Sequence, residues 1–551
     1  MGERKVADYV VEQLVAWGVK SVYGVAGDAI LPFIDAISRR PDLTFFSVKH
    51  EATAAFMASA EAKLTGRLGV CTATSGPGIA NLLNGLADAK SDQAPVLAIT
   101  GQVDSFNIST NYKQNIDQSQ LLSPAVSFSG IVVSQESCND VLTKAMRSAV
   151  SQGTAVHVGF PRDLWSAVTE EEVRPPEPYL STKPVSPPEV ITKAIELLNI
   201  AERPAILTGR GAKNQGKLLL ALAEKWTAGV CHTMGAKGIL PGDHHLMLGG
   251  LGEGGSAAST TMLFEADTIL IAGATWWPAS YVPPVAKIIQ LDVVPENIGR
   301  GMPVDYGVVG DLADLLPAFT EGLTEQKREQ WLERLHSLKT DWLKTISPEI
   351  TTEGSPVLPG YLIKTLESQI NEDAIITLDT GDHTVWFNRI FSGSSQEVIF
   401  SGKWRSMGFG IPAALSAQIA KPDRQVVAIV GDGGLAQTLA EFSTAVRYKL
   451  PITVVVVNNG YLAMEKDQMQ LAGMNYEITS LTNPDFAEYA ELCGGRGFRV
   501  DSSEHLTGAL RAALDSSTPS LVDVLTSAPI FPGVEDHYHR KQAQMIVGDY
   551  L

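Results

Sequence analysis

The sequence predicts an α/β protein of three domains, each a parallel sheet flanked by helices. Three observations support this. Short runs rich in Val, Ile and Leu end in glycine turns and alternate with helical stretches, as parallel sheets covered on both faces require. The alternation occurs in three blocks of similar size. Two stretches of other composition separate the blocks, one rich in proline and one helical and charged. The length of 551 residues and an apolar content of 44% suit several domains with large cores.

The first block covers residues 1–170. "SVYGVAG", "LGVCTATSG" and "PVLAITG" read as strands with glycine turns, and "HEATAAFMASAEAKLTG" as a helix between two of them. Residues 171–189, within "EEEVRPPEPYLSTKPVSPPE", read as an extended linker. The second block, 190–323, has strands "PAILTG", "TILIAG" and "KIIQLDVVP". A charged helical connector fills 324–357. The third block, 358–528, has "AIITLDTGD", "QVVAIVGDGG", "ITVVVVNNG" and "SLVDVLTS". Residues 529–551 form a tail with His537, His539, Arg540 and Lys541.

A net charge of −18 argues against general nucleic-acid binding and against docking on anionic lipid. No run of eighteen apolar residues predicts a membrane span, and the N-terminus lacks the apolar core of a signal peptide, so a cytoplasmic protein is expected. Cys71, Cys138, Cys231 and Cys493 are scattered without a CxxC pair, which points to buried free thiols rather than a structural zinc site.

The stretch from Gly431 to Gly460, "GDGGLAQTLAEFSTAVRYKLPITVVVVNNG", carries the chemistry. Strand "VVAIV" ends at Gly431, and ligands bind at such strand ends in open α/β sheets. Gly431, Gly433 and Gly434 allow close backbone approach to an anion. Asp432 beside an anionic phosphate needs a cation between them, and a carboxylate, an amide oxygen and a backbone carbonyl suit Mg²⁺. Asn459 ends the next strand, so a single βαβ unit returns it to the edge that holds Asp432.

GDG followed by NN, with 27 positions from Asp432 to Asn459, resembles the diphosphate–metal motif of thiamine diphosphate enzymes. "YGVAGDAILPFIDAI", "KHEATAAFMASAEAKLTG", "TSGPGIANLLNGLADA" and "PVLAITGQ" resemble that family's pyrimidine-binding domain, and "MGFGIPAALSAQ" the segment under the bent cofactor. The similarity is greatest to the pyruvate oxidase and pyruvate:quinone dehydrogenase branch, with acetolactate synthase next. It implies Mg²⁺ on Asp432, Asn459 and the Tyr461 carbonyl. It implies Glu51 as the glutamate that hydrogen-bonds the pyrimidine and shares its proton, and Gln114 as an active-site glutamine. Gly27 and Gly76 fall on the pyrimidine side, and Gly381, Asp382 and His383 on the diphosphate side. Met407 matches the apolar residue that holds the cofactor bent.

"ILTGRGAKNQG" resembles a nucleotide-binding glycine turn, and "TMGAKGILP", "ILIAGATWW" and "IIQLDVVPENIGR" follow as in flavin-binding relatives. The resemblance implies FAD, with Gly211, Gly273, Asp292 and Asp311 as contacts. Lys113, Met464, Gln468, Lys403 and Arg405 depart from the branch pattern and permit an anionic 2-oxo acid other than pyruvate. The expected activity is oxidative decarboxylation of a small 2-oxo acid. The acyl group passes to water or phosphate, and electrons to oxygen, a quinone or another acceptor. The alternatives are an acetolactate-forming carboligase, a non-oxidative decarboxylase and a catalytically silent subunit. The resemblance also implies a homodimer or homotetramer.

Overall fold

The computed structural model describes residues 4–177, 184–275, 281–283 and 285–531. Part of the proline-rich linker, Trp276 and Trp277 of "ATWW", and the tail from residue 532 with its histidines lie outside the described residues.

Three six-stranded parallel sheets organise the chain. The first contains β1 (Ser21–Gly24), β2 (Thr44–Ser47), β3 (Gly69–Ala73), β4 (Val96–Gln102), β5 (Phe128–Ile131) and β6 (Ala155–Pro161). The second contains β7 (Pro204–Thr208), β8 (Gly229–His232), β9 (Met247–Gly250), β10 (Thr268–Ala272), β11 (Lys287–Asp292) and β12 (Tyr306–Val309). The third contains β13 (Ile375–Leu378), β14 (Glu397–Phe400), β15 (Val426–Gly431), β16 (Thr453–Asn458), β17 (Arg496–Val500) and β18 (Ser520–Leu525).

The strand orders fix where ligands can sit. The first sheet runs β2-β1-β3-β4-β6-β5, and the third repeats that order as β14-β13-β15-β16-β18-β17. The order reverses between β1 and β3, and again between β13 and β15. The second sheet runs β9-β8-β7-β10-β11-β12, the doubly wound dinucleotide order, and reverses between β7 and β10. At each reversal the loops leaving neighbouring strands diverge to opposite faces and leave a crevice. Interior strands such as β4, β7, β10 and β16 are buried along their whole length, which explains their unbroken apolar runs.

Helix α1 (Glu51–Thr65) follows β2, and α2 (Pro77–Ser91) follows β3. They cross closely, because a Cβ on Gly85 would lie 2.4 Å from the Ala55 Cβ. In the middle domain α3 (Leu312–Gly322) follows β12, and α4 (Glu329–Thr351) is the charged connector. The third domain has α5 (Asp382–Ile390), α6 (Gly410–Ala420), α7 (Asp432–Thr438) and α8 (Ala463–Leu471). α1 packs on α6, with the Phe56 and Phe409 rings edge to face at 5.7 Å. Arg389 at the end of α5 forks onto Glu349 of α4 at 2.6 and 2.7 Å and lies over the Trp342 ring.

Cys71, Cys138 and Cys231 are buried free thiols, whereas Cys493 is only half-buried. No helix among the described residues is long and apolar enough to cross a membrane.

Candidate active site

The third sheet assembles the GDG–NN elements. β15 and β16 pair in parallel with Gly431 opposite Val457, so Asp432 emerges beside Asn458 and Asn459. The two asparagines divide their work. Asn458 turns inward and donates to Asp523 at 2.9 Å. Asn459 turns outward, donates to Asp382 Oδ2 at 3.1 Å and accepts from the Tyr461 N–H at 3.1 Å. Asp432 Oδ2 accepts from the Gly460 N–H at 2.9 Å and from Asn483 Nδ2 at 2.6 Å. Asn483, 51 residues downstream of Asp432, has no local sequence signal.

The electrostatics of this crevice call for ligands. Burial pushes Asp382 up to about 7, and the carboxylates of Asp467 and Asp432 add to the rise. Burial also raises Asp432, against the hydrogen bonds from Asn483 and Gly460. Acidic groups crowded in this way are stabilised in ionised form by a cation. Among the described residues no three His, Cys, Asp or Glu side chains converge as a metal site. Asp432, Asn459 and the Tyr461 backbone offer one carboxylate, one amide and one carbonyl, an oxygen donor set that fits Mg²⁺ with diphosphate and water completing it.

His383 fits an anion neighbour. It is 1% exposed, and neither ring nitrogen has a hydrogen-bond partner. Burial holds it neutral by pushing it down to about 4. A Cβ on Gly381 would lie 2.8 Å from its ring, and one on Gly431 3.0 Å away, so only glycines leave this wall open. Gly434 clears the Asp379 carboxylate in the same way, with a hypothetical Cβ 2.8 Å from Asp379 Cγ. Asp379, unremarked in the sequence, accepts from the N–H groups of Thr380, Gly408 and Gly410 at 2.7–3.3 Å. Burial raises it to about 6. It anchors the turn that follows Met407, whose Cε lies 3.3 Å from where a Gly433 Cβ would sit.

A second cluster forms at the reversal point of the first sheet. Glu51 is the first residue of α1, and the His50 side chain caps that helix by accepting from Ala52 N–H. Glu51 is half-buried and accepts from Asn81 Nδ2 at 2.9 Å. Its burial within one chain is thus less than the apolar neighbours Phe56 and Met57 suggest. Gly27 packs against Thr74, and Gly76 against Gln114, which itself takes a left-handed φ of 60°. A Cβ on Gly78 would lie 3.3 Å from Glu51 Oε1. Glu51, Gly27, Gly76 and Gln114 therefore share one end of the first sheet. No hydrogen bond or ion pair among the described residues joins Glu51 to Asp432, Asn459 or His383.

The middle sheet meets a cavity of about 1310 Å³. Gly211 and Gly273 stand at its reversal point, where Gly211 N–H donates to Gly273 O at 2.9 Å. Asp292 lies at the end of β11, fixed by Val294 N–H and Asn297 Nδ2 at 2.9 and 3.0 Å. All three line the cavity, which extends to Thr380, Gly381, Thr384 and Met464 of the third domain and to Arg210 and Lys213. Asp311 does not line it. Its carboxylate accepts from Ala313 N–H as the N-cap of α3. Lys403 and Arg405 do line the cavity, whereas Lys113 and Gln468 do not.

Three family patterns match successive parts of the chain. They are the N-terminal TPP-binding domain of thiamine pyrophosphate enzymes over residues 4–121, the central domain over 191–319 and the C-terminal TPP-binding domain over 379–524. Among curated proteins, the chain is 36% identical to YdaP of Bacillus subtilis, described as a thiamine pyrophosphate-containing protein, over 97% of this chain and 94% of the relative. It is 30% identical to the acetolactate synthase isozyme 1 large subunit of Escherichia coli, over 95% and 94%. It is also 30% identical to the pyruvate oxidase of Lactiplantibacillus plantarum, over 94% and 87%.

Proposed function

The chain belongs to the thiamine pyrophosphate enzyme family, and on that premise we propose that it catalyses flavin-dependent oxidative decarboxylation of a small 2-oxo acid, with pyruvate the first candidate. The observation that supports flavin is the large cavity. It joins the dinucleotide-type reversal point of the middle sheet to Gly381 and Met464 beside the GDG–NN crevice. FAD held there by Gly211, Gly273 and Asp292 would supply an electron acceptor in a cavity that also reaches that crevice.

Thiamine diphosphate, when bound, would supply a nucleophilic carbon and an electron sink for decarboxylation of the 2-oxo acid. The chain's residues have separate tasks. Asp432, Asn459 and the Tyr461 carbonyl hold Mg²⁺. His383 and the glycines at 381, 431, 433 and 434 receive the diphosphate. Glu51, oriented by Asn81, exchanges a proton with the pyrimidine ring. Met407 shapes the bound cofactor, a proximity effect. Gln114, beside Gly76, is assigned to the substrate. Gly211, Gly273 and Asp292 receive FAD.

The Glu51 cluster and the Asp432 cluster are each half of such a site, and we assign them to a shared site across a homodimer or homotetramer. Exposed apolar residues flank both. Phe106, Tyr112 and Ile116 surround Gln114 in sequence, and Ile478 lies two residues from the Tyr461–Ser480 bridge. A carboligase of the acetolactate type is the second reading, favoured by the several acetolactate synthases among the relatives, at 29–33% identity.

The test is a visible spectrum of purified protein, mass spectrometry of released cofactors, and turnover of pyruvate with and without an electron acceptor. The expected result is bound FAD that bleaches with pyruvate under anaerobic conditions and is reoxidised by the acceptor. Protein that takes up no flavin even when supplied with it would overturn the oxidase reading. Acetolactate formed without acceptor reduction would replace it by the second.

A further inference from the structure

We infer that Asn84 and Asp92, with Lys63, are positioning residues for Met407, acting through the segment that leads into it. The inference rests on the reading of Met407 as a cofactor contact. The evidence is a polar stripe on α2. Asn81, Asn84, Asp88 and, just past the helix, Asp92 follow at spacings of three and four and so share one face. Asn81 holds Glu51. Asn84 and Asp92 bond the 400–406 segment of the third domain in the same chain, and Asp88 reaches it through Lys63.

Asn84 grips the segment twice. Its Oδ1 accepts from Trp404 Nε1 at 2.7 Å, and its Nδ2 donates to Ser406 Oγ at 3.0 Å. Ser406 Oγ in turn donates to the Met407 carbonyl at 3.0 Å. Asp92 accepts from two successive backbone N–H groups, Gly402 and Lys403, both at 2.8 Å. Lys63 ties these acids together, donating to Asp88 at 2.8 Å, to Asp92 at 2.6 Å and to the Phe400 carbonyl at 3.1 Å. Its side chain is 3% exposed and its ammonium lies 4.6 Å from the centre of the Phe409 ring. Both sides of Met407 are therefore fixed, the stripe holding 400–406 and Asp379 holding 408–410.

The segment is shaped by this grip. A Cβ on Gly402 would lie 2.9 Å from an Asp92 oxygen, and Arg405 takes a left-handed φ of 54°, a conformation that needs surrounding contacts to persist. Yet Lys403, Trp404 and Arg405 are exposed, so no apolar burial holds them down. Specific hydrogen bonds from α2 replace it. Without them the approach to Met407 keeps the Ser406 N–H donating to Ser401 Oγ at 2.8 Å and the Arg405–Glu253 pair at 3.9 Å to set its path.

Exposed Lys403 and Arg405 make the segment a built-in trypsin reporter. In cofactor-free full-length protein, Asn84→Ala and Asp92→Ala should raise cleavage after these residues at least tenfold. In the same variants the Kd for thiamine diphosphate at fixed Mg²⁺ should rise at least tenfold. Asp92→Asn, which keeps an acceptor oxygen, should recover part of both effects. Asn84 is exposed, so its variant keeps the test valid if Asp92→Ala fails to fold. Wild-type cleavage in folded Asn84→Ala and Asp92→Ala would overturn the inference. So would faster cleavage with an unchanged Kd, which would leave the stripe as interdomain adhesive only. Failure of the wild type to bind thiamine diphosphate would instead overturn the functional reading, since cleavage is read without the cofactor.

Discussion

At the scale of single residues, two side chains show how burial turns into measurable behaviour. Asp432 sits in a crowded acidic crevice and accepts from the Asn483 amide and the Gly460 N–H of its own chain. Asp432→Ala should therefore give protein that no longer retains thiamine diphosphate or Mg²⁺ through desalting, measured by mass spectrometry and metal analysis. Stoichiometric retention would remove Asp432 from the metal site. His157 sits in the middle of the first sheet, with Thr100 Oγ1 2.7 Å from Nε2 and Ser129 Oγ 2.8 Å from Nδ1. Burial pushes it down to about 3 from 6.5. Between those values the unfolded chain binds a proton that the folded chain excludes, so stability falls as pH falls, by about 1.4 kcal/mol per unit. The contribution is intact above 6.5. His157→Gln removes the titration. Between pH 7 and pH 5 the variant should lose about 2 kcal/mol less stability than the wild type in urea unfolding. Equal losses would show that His157 is not held neutral.

At the scale of elements, the contact between α1 and α2 places Glu51 against Asn81. Gly85 makes that contact possible, since its hypothetical Cβ would lie 2.7 Å from both the Ala55 carbonyl carbon and the Phe56 nitrogen. Backbone atoms cannot rotate away as a side-chain tip can. Gly85→Ala should destabilise the protein by about 1–3 kcal/mol or more, read as a lower urea midpoint at unchanged m-value. An unchanged midpoint would mean that the helices can separate freely. β15 and β16 with α7 show the complementary case. Their register and crossover set Asp432 beside Asn459, and residues at the two ends of one βαβ unit need no other device to meet.

At the scale of the whole molecule, first and third sheets of identical strand order each carry one of the two clusters at the same reversal point, and the proposed function makes them halves of one site. Two-fold pairing of chains is the commonest closed arrangement and would bring unlike halves together. Glu51→Gln alone should fold and slow the reaction by about 10²–10⁴-fold, because an amide cannot share the proton. Mixing Glu51→Gln chains with Asp432→Ala chains, under conditions that exchange subunits, should restore part of the activity, since each mixed dimer holds one intact centre. Demonstrated exchange without recovery would place both halves within one chain.

The sequence by itself determined the interior of the fold and the chemistry at its strand ends. The strands it makes plain, such as β7, β10 and β16, are interior ones, buried on both faces and so written as continuous apolar runs. The strands it does not make plain include all six edges. There β2, β5 and β17 are largely half-buried or exposed and carry mixed residues, so no run marks them. Glycines and acids at the reversal points are legible because close backbone approach and charge leave few residue types to choose from. Only the tertiary structure decided that Asn483 reaches Asp432, that Asp379 anchors the turn after Met407, and that Asp311 caps a helix. Each depends on which distant segment arrives beside it, and that is set by sheet order and packing rather than by any pattern within a few residues.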